Sequence, residues 1–197
     1  YFLFPENDTT MYSHPDRSEM NTGKDEILEI VKERGSTDKK FYPSRILIKF
    51  KNEEIQNLIT DTITHTKFQD SISKVNLQLT STEPKNLTST LNVAVYAVSQ
   101  SWNEGTGRFL NLPTSSNGSL VSASVLTPGG GVWYTGSNFY APQQFLTGEN
   151  LDLDFDVTTI VKKHSASLFV NQTYPTGIEN YGFIIKKLDA IENHIST

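Results

Sequence analysis

The chain contains no cysteine. Disulfide frameworks, thiolate metal sites and cysteine nucleophiles are therefore excluded. Secreted animal proteins rich in loops ordinarily carry disulfides, so the composition fits a protein made inside a cell. No apolar run approaches the roughly 18 residues of a membrane-spanning helix. The opening "YFLFPEND" is too short and too poor in positive charge for a signal peptide. There is no starting methionine, and the chain reads as a fragment or processed product. Positive charge is scarce, with 17 Lys and Arg against 22 Asp and Glu and a net charge of −5. Nucleic-acid binding needs clustered cations. The cluster Lys39, Lys40 and Arg45 reads instead as a solvated loop.

Catalytic signatures are missing too. His14, His65, His164 and His194 are scattered, none paired at metal-ligand spacing, and they read as surface residues. "SSNGS" and "TGSN" lack the G-x-S-x-G pattern that exposes a nucleophilic serine. "TPGGGVWY" has no Lys-Ser/Thr and no helix after it, so its glycines suit a tight turn rather than a phosphate. Two carboxylates about 5–10 Å apart could serve a glycosidase, but nothing favours a pair. The chain is expected not to be an enzyme.

What is present is a chain of 197 residues, 36% hydrophobic and 20% charged, enough for one domain. Its polar excess lies in Asn, Ser and Thr, which suits strands joined by long polar loops. "RILIKF" (45–50) alternates, with Ile46, Ile48 and Phe50 on one face and Arg45, Leu47 and Lys49 on the other. "SISKVNLQLT" places Val75, Leu77 and Leu79 inward. "LNVAVYAVS" places Leu91, Val93, Val95 and Ala97 on one side, with Tyr96 and Val98 opposite, so its far side is partly covered. "NLDLDFDV" turns Leu151, Leu153, Phe155 and Val157 inward. "NYGFIIKKL" reads as a closing strand. "EILEIVKE" (26–33) fits a short strand better than a helix. "NEEIQNLITDTI" reads as helical, with Asn52 as N-cap and Ile55, Leu58 and Ile59 on one face. "TTIVKKH" is a second helical turn, capped by Asp156 or Thr158. Residues 103–150 form a loop-rich region with short strands expected at 121–126 and 131–135.

This order predicts an all-β protein, an antiparallel jelly-roll-like β-sandwich with one or two short helices and long loops. Residues 1–26 form an N-terminal arm or first edge strand, 27–190 the sandwich, and 191–197 a C-terminal tail.

Two constellations could carry binding. Asp152, Asp154 and Asp156 lie on one strand face, where like charges repel and invite a cation. Calcium wants 6 to 8 oxygens wrapped by a loop, so a solvated face with a helix cap competes with a calcium site. No other metal or cofactor is indicated. Trp102, Trp133, Tyr134, Phe139 and Tyr140 offer stacking faces for a sugar, against the alternative that they plug the core beneath the loops. Trp102, Glu104 and Arg108 in "SWNEGTGR" read as the corner where the strongest strand enters the long loop. There Trp102 should be largely buried, and Glu104 or Arg108 should bond loop backbone or each other.

The landmarks "SRILIKF", "VNLQLT", "LNVAVYAVSQSWNEGTG", "GGGVWY", "LDFDVTTIVKK" and "ENYGFIIK", in that order over residues 8–187, resemble the DNRLRE-type domain. This is a carbohydrate-binding-module-like β-sandwich of secreted bacterial proteins and phage particles. "NTGKDEILEI" ahead of the "SRILIKF" strand resembles virion proteins of tailed phages. The usual Trp after the "DVT" helix is absent, with His164 and Ser165 in its place. The resemblance implies a fold and no catalytic residues. It implies a non-enzymatic virion component (tail, baseplate, fibre or capsid-associated), assembled in the host cytoplasm, contacting other virion proteins and copies of itself. A module for cell-surface glycans is the alternative.

Overall fold

A computed structural model describes residues 1–17, 20, 22–70, 74–82, 90–108, 132–145, 152–169 and 177–188, with backbone alone at 62, 63, 65, 66, 70 and 144. Its strands are β1 (Asn7–Tyr12), β2 (Lys32–Arg34), β3 (Phe41–Lys49), β4 (Asn76–Leu79), β5 (Leu91–Ala97), β6 (Tyr140–Phe145), β7 (Leu153–Asp156) and β8 (Phe183–Lys187). Every pairing is antiparallel. The large sheet has the order β1-β3-β8-β5-β6, with β2 on β3, and the second sheet pairs β4 with β7. The chain passes from the large sheet to the small one between β3 and β4 and between β6 and β7, and back again between β4 and β5 and between β7 and β8. Such crossings make an all-β, sandwich-like fold.

The core lies between the sheets. Ile46, Ile48, Val93, Val95, Ala97, Phe183 and Ile185 from the large sheet meet Leu77 and Phe155 from the small one, with Val157 and Ile160 closing one end. These are the alternate residues of each strand, as the period of two requires. Of the inward run in "NLDLDFDV", Leu151 lies outside the described residues, as do the strand expected at 121–126 and the tail 191–197.

The helices are α1 (Asn52–Asn57), a π-helical turn (Leu58–Ile63), α2 (His65–Asp70) and α3 (Thr158–Leu168). Ile55, Ile59 and Phe68 form their own buried cluster, on which Leu3 and Val161 pack. Asn52 does not cap α1. It is already helical, Lys51 precedes it as N-cap, and its Oδ1 accepts from Asn180 Nδ2 at 2.7 Å. Asn180 also donates to Phe50 O and accepts from the Gly182 N–H. The "NYG" landmark is thus a clasp between β8 and the end of β3. Gly182 has φ +87°, and a Cβ there would lie 2.2 Å from Ile48 O, so both conformation and space demand glycine.

Neither Asp156 nor Thr158 is the N-cap of α3: that position is Val157, with no side-chain cap bond, and the Asp156 carboxylate just ahead of it accepts from the Thr158 N–H at 3.1 Å. The Thr158 hydroxyl instead accepts from Val75 N–H, tying the helix to β4. Residues 26–31 make no strand, and only Lys32–Arg34 ladder. Side chains take the place of a partner strand. The Val31 N–H donates to Ser44 Oγ, the Glu29 N–H to Thr10 Oγ1, and Ser44 Oγ donates to Glu29 O.

Candidate functional site

The face of the large sheet turned away from the core is not a plain solvent face. Met11, Leu47, Ala94, Tyr96, Val98 and Ile184 are buried there, with Trp102, Trp133, Tyr181 and Leu188 packed over them. Arg45 and Lys186, which flank the Ile46–Ile185 pair, emerge among them. Lys186 is completely buried and Arg45 is 8% exposed. The sequence pattern groups Arg45 with Lys39 and Lys40 as solvated, on a strand face with Leu47 and Lys49; Arg45 lies instead inside β3. The structure buries it, because the other strands contribute Tyr96, Val98 and Trp133 to that face.

Trp133 is held by backbone. It bridges Val98, the Ser99 N–H donates to Val132 O, and the Tyr134 N–H donates to Ala97 O. Among the described residues near 131–135, Trp133 forms an isolated bridge rather than a strand. The Trp133 ring centroid lies 4.8 Å from the Arg45 guanidinium carbon and 4.6 Å from Lys186 Nζ, and Lys186 is also 5.7 Å from the Tyr96 ring. Burying a cation is costly without compensation, and each aromatic face returns about 0.5–2 kcal/mol. Both cations make further interactions besides. The buried Trp133 Nε1–H has no hydrogen-bond acceptor.

The aromatic candidates separate. Tyr140 pairs with Tyr96 in the ladder and stacks on it at 5.4 Å and 24°, with 36% of its surface exposed. Trp133 shares that face, 6.2 Å from Tyr96. Tyr134 points the other way, packing on the inner core against Phe139 at 4.9 Å. Adjacent strand residues point to opposite faces, so Trp133 and Tyr134 do not form one platform. The side chains gathered on the outer face include aromatic rings and two cations, groups that stack and carry charge.

The Trp102 corner also takes definite form. Trp102 packs partly buried on the outer-face cluster, and its Nε1–H donates to Tyr181 O at 2.6 Å. Arg108 is exposed, and the bonds described for Glu104 reach the N-terminal segment. Glu104 accepts from Lys24 Nζ at 2.6 Å, from the Asn7 side chain and from the Asp8 backbone N–H. Burial pushes the Glu104 carboxyl upward, but these donors outweigh it and hold it below the usual range. The Thr22 hydroxyl meanwhile accepts from Thr10 N–H and donates to Thr10 O. Together Glu104 and Thr22 satisfy the outward backbone groups of edge strand β1. This is how natural sheets avoid edge-to-edge pairing. At the opposite edge β6 carries Pro142, which cannot donate to a further strand.

The acid ladder is engaged locally. Asp152 accepts from the Ser81 N–H and Asp154 from Asn76 Nδ2. Asp156, bonded by the Thr158 hydroxyl and N–H, sits below its usual range. Among the described residues no three His, Asp or Glu side chains gather as metal ligands. No described helix is long and apolar enough to cross a membrane. His164 is not a surface residue: it is fully buried. It stands four residues after Ile160, on the face of α3 that turns inward, a placement that helical spacing alone makes visible.

Ahead of β1, Tyr1, Phe2 and Phe4 are 78–88% exposed, while Leu3 packs on the helical cluster. The Glu6 N–H bonds Lys49 O, so the sheet pairing ends there, at the boundary with Pro5.

No family model, curated protein or solved structure matches this chain.

Proposed function

We propose that this chain is a non-enzymatic structural protein of a tailed-phage virion, a tail, baseplate, fibre or capsid-associated component, assembled in the host cytoplasm through protein–protein contacts. The observation that carries this reading is the segment ahead of β1. Three aromatic side chains within four residues stand in water while Leu3 anchors the backbone between them to the helical layer. Aromatics supply large contact area on burial, and a contiguous exposed apolar patch marks an interaction site. The β1 and β6 edges of the large sheet are closed by Glu104, Thr22 and Pro142, which disfavours strand addition there. The ordered "SRILIKF" to "ENYGFIIK" landmarks support a DNRLRE-type sandwich of jelly-roll kind. Symmetric self-association fits the same role.

The test is a Phe2→Ser/Phe4→Ser double variant. It should fold as the wild type does, because both residues are exposed, and should fail to join purified virion proteins. A wild-type chain that stays a monodisperse monomer with no affinity for those proteins overturns the reading.

A second reading rests on the outer face. Tyr140, open to solvent and backed by Tyr96, lies on the same face as Trp133 above two cations. That arrangement supports a module for host cell-surface glycans, with Tyr134 outside the platform. Glycan-array binding lost in Tyr140→Ala without unfolding would favour it, and an array without signal would remove it.

A further inference from the structure

Helix α3 is fastened at several points. Val157 N–H bonds Val75 O, and Ile178 N–H bonds Lys163 O. Gln69 Nε2 donates to Lys162 O and Ser165 Oγ, and Lys162 Nζ returns a bond to Gln69 O. Gly177 passes so close that a Cβ on it would lie 2.1 Å from Ser167 N. At the centre of these fastenings His164 is fully buried, 5.5 Å from the Phe183 ring, and neither ring nitrogen has a hydrogen-bond partner. A neutral imidazole tolerates this setting. An imidazolium would place two donors and a charge where nothing accepts them, and a buried, unpaired charge drives the structure to move or open.

We propose that His164 is an acid-sensitive latch: neutral, it lets α3 close on the sandwich, and protonated, it releases α3 from β8 and from residues 177–178. Burial alone lowers its proton affinity, to a pKa of about 4. The elements around it carry Glu53 and Glu54 on α1, Lys67 on α2, Lys162 and Lys163 on α3, and Glu179 and Lys187 beside Phe183; none of these shifts the imidazole. The side chains of His65 and Asp70 lie outside the described set. The sign follows directly. A histidine depressed from 6.5 to about 4 contributes fully above pH 6.5 and loses that contribution as pH falls towards 4. The opening constant should rise about 20-fold between pH 7 and pH 5. The lowered carboxylates Glu104 and Asp156 start from 4.5 and 3.8, so their loss belongs to more acid conditions.

The experiment is amide hydrogen exchange at pH 7 and pH 5, corrected for intrinsic rates, on the full chain and on His164→Gln, with an NMR titration of the wild-type imidazoles. The latch predicts α3 amides that exchange faster than β5 amides at pH 5, the 20-fold increase in wild type, no such increase in His164→Gln, and a His164 ring still neutral at pH 5. A ring that titrates near 6.5, a variant that keeps the increase, or α3 and β5 exchanging at one common rate overturns it. If His164→Gln fails to fold, the wild-type titration and the α3-to-β5 ratio decide alone.

Discussion

The two faces of the large sheet are built from the same strands and solve burial differently. The inner face is mainly apolar, from Ile46 and Ile48 through Val93 and Val95 to Phe183 and Ile185. The outer face mixes Leu47, Ala94 and Ile184 with buried Arg45 and Lys186 beneath Trp133. One is a dry core whose strength comes from close packing. The other is a cationic layer roofed by aromatics, whose strength depends on the ring that covers the charges. The difference shows that burial in this chain has two distinct causes, and that a substitution should be felt differently on each side.

The largest effect is expected inside. Phe155 is fully buried between the sheets, and Phe155→Ala should cost about 3–5 kcal/mol, measured by urea unfolding at pH 7. Trp133→Ala should cost less, about 2 kcal/mol, since the ring is part-exposed and its removal lets water reach the cations. Equal losses for the two variants would erase the distinction between core and roof.

Next comes the capped edge. Glu104→Gln weakens the bonds to Lys24, Asn7 and Asp8, and should cost about 1 kcal/mol. Because the Glu104 carboxyl is held low, its contribution is complete above about pH 4.5 and fades as pH falls through its lowered value. Wild-type stability should therefore drop more steeply under acid than that of Glu104→Gln, in denaturant titrations run at pH 7 and pH 3.5. Parallel curves would mean that the edge cap is not electrostatic. The smallest effect is expected at Tyr140→Ser, about 0.5–1 kcal/mol, the value of one stacked pair; a larger loss would make Tyr140 part of the roof rather than an open platform.

Much of the inner face was legible in the sequence, because Ile46/Ile48, Leu77/Leu79, Val93/Val95/Ala97 and Leu153/Phe155/Val157 recur at every second position, the period of a strand, and in β4 and β7 the residues between them are polar. The outer face was not. Alternation tells which residues share a side, but what covers that side depends on residues far along the chain, and Trp133 reaches Arg45 across 88 positions of sequence. Caps failed for a related reason: Asn52 is bonded by Asn180, 128 residues away, so its side chain was not free to cap α1. Glu104 likewise bonds Lys24, 80 residues earlier, a partner its own loop does not reveal. His164 was legible by its spacing from Ile160, but the preference of histidine for surfaces pointed the other way.

The central claim, a structural role in a phage particle carried by Tyr1, Phe2 and Phe4, is tested most directly by imaging an intact particle at a resolution that shows side chains. The account predicts density for this sandwich in the particle, with those three aromatics buried against a neighbouring subunit. Particles that lack the chain, or that hold it with the three aromatics still in solvent, would contradict it.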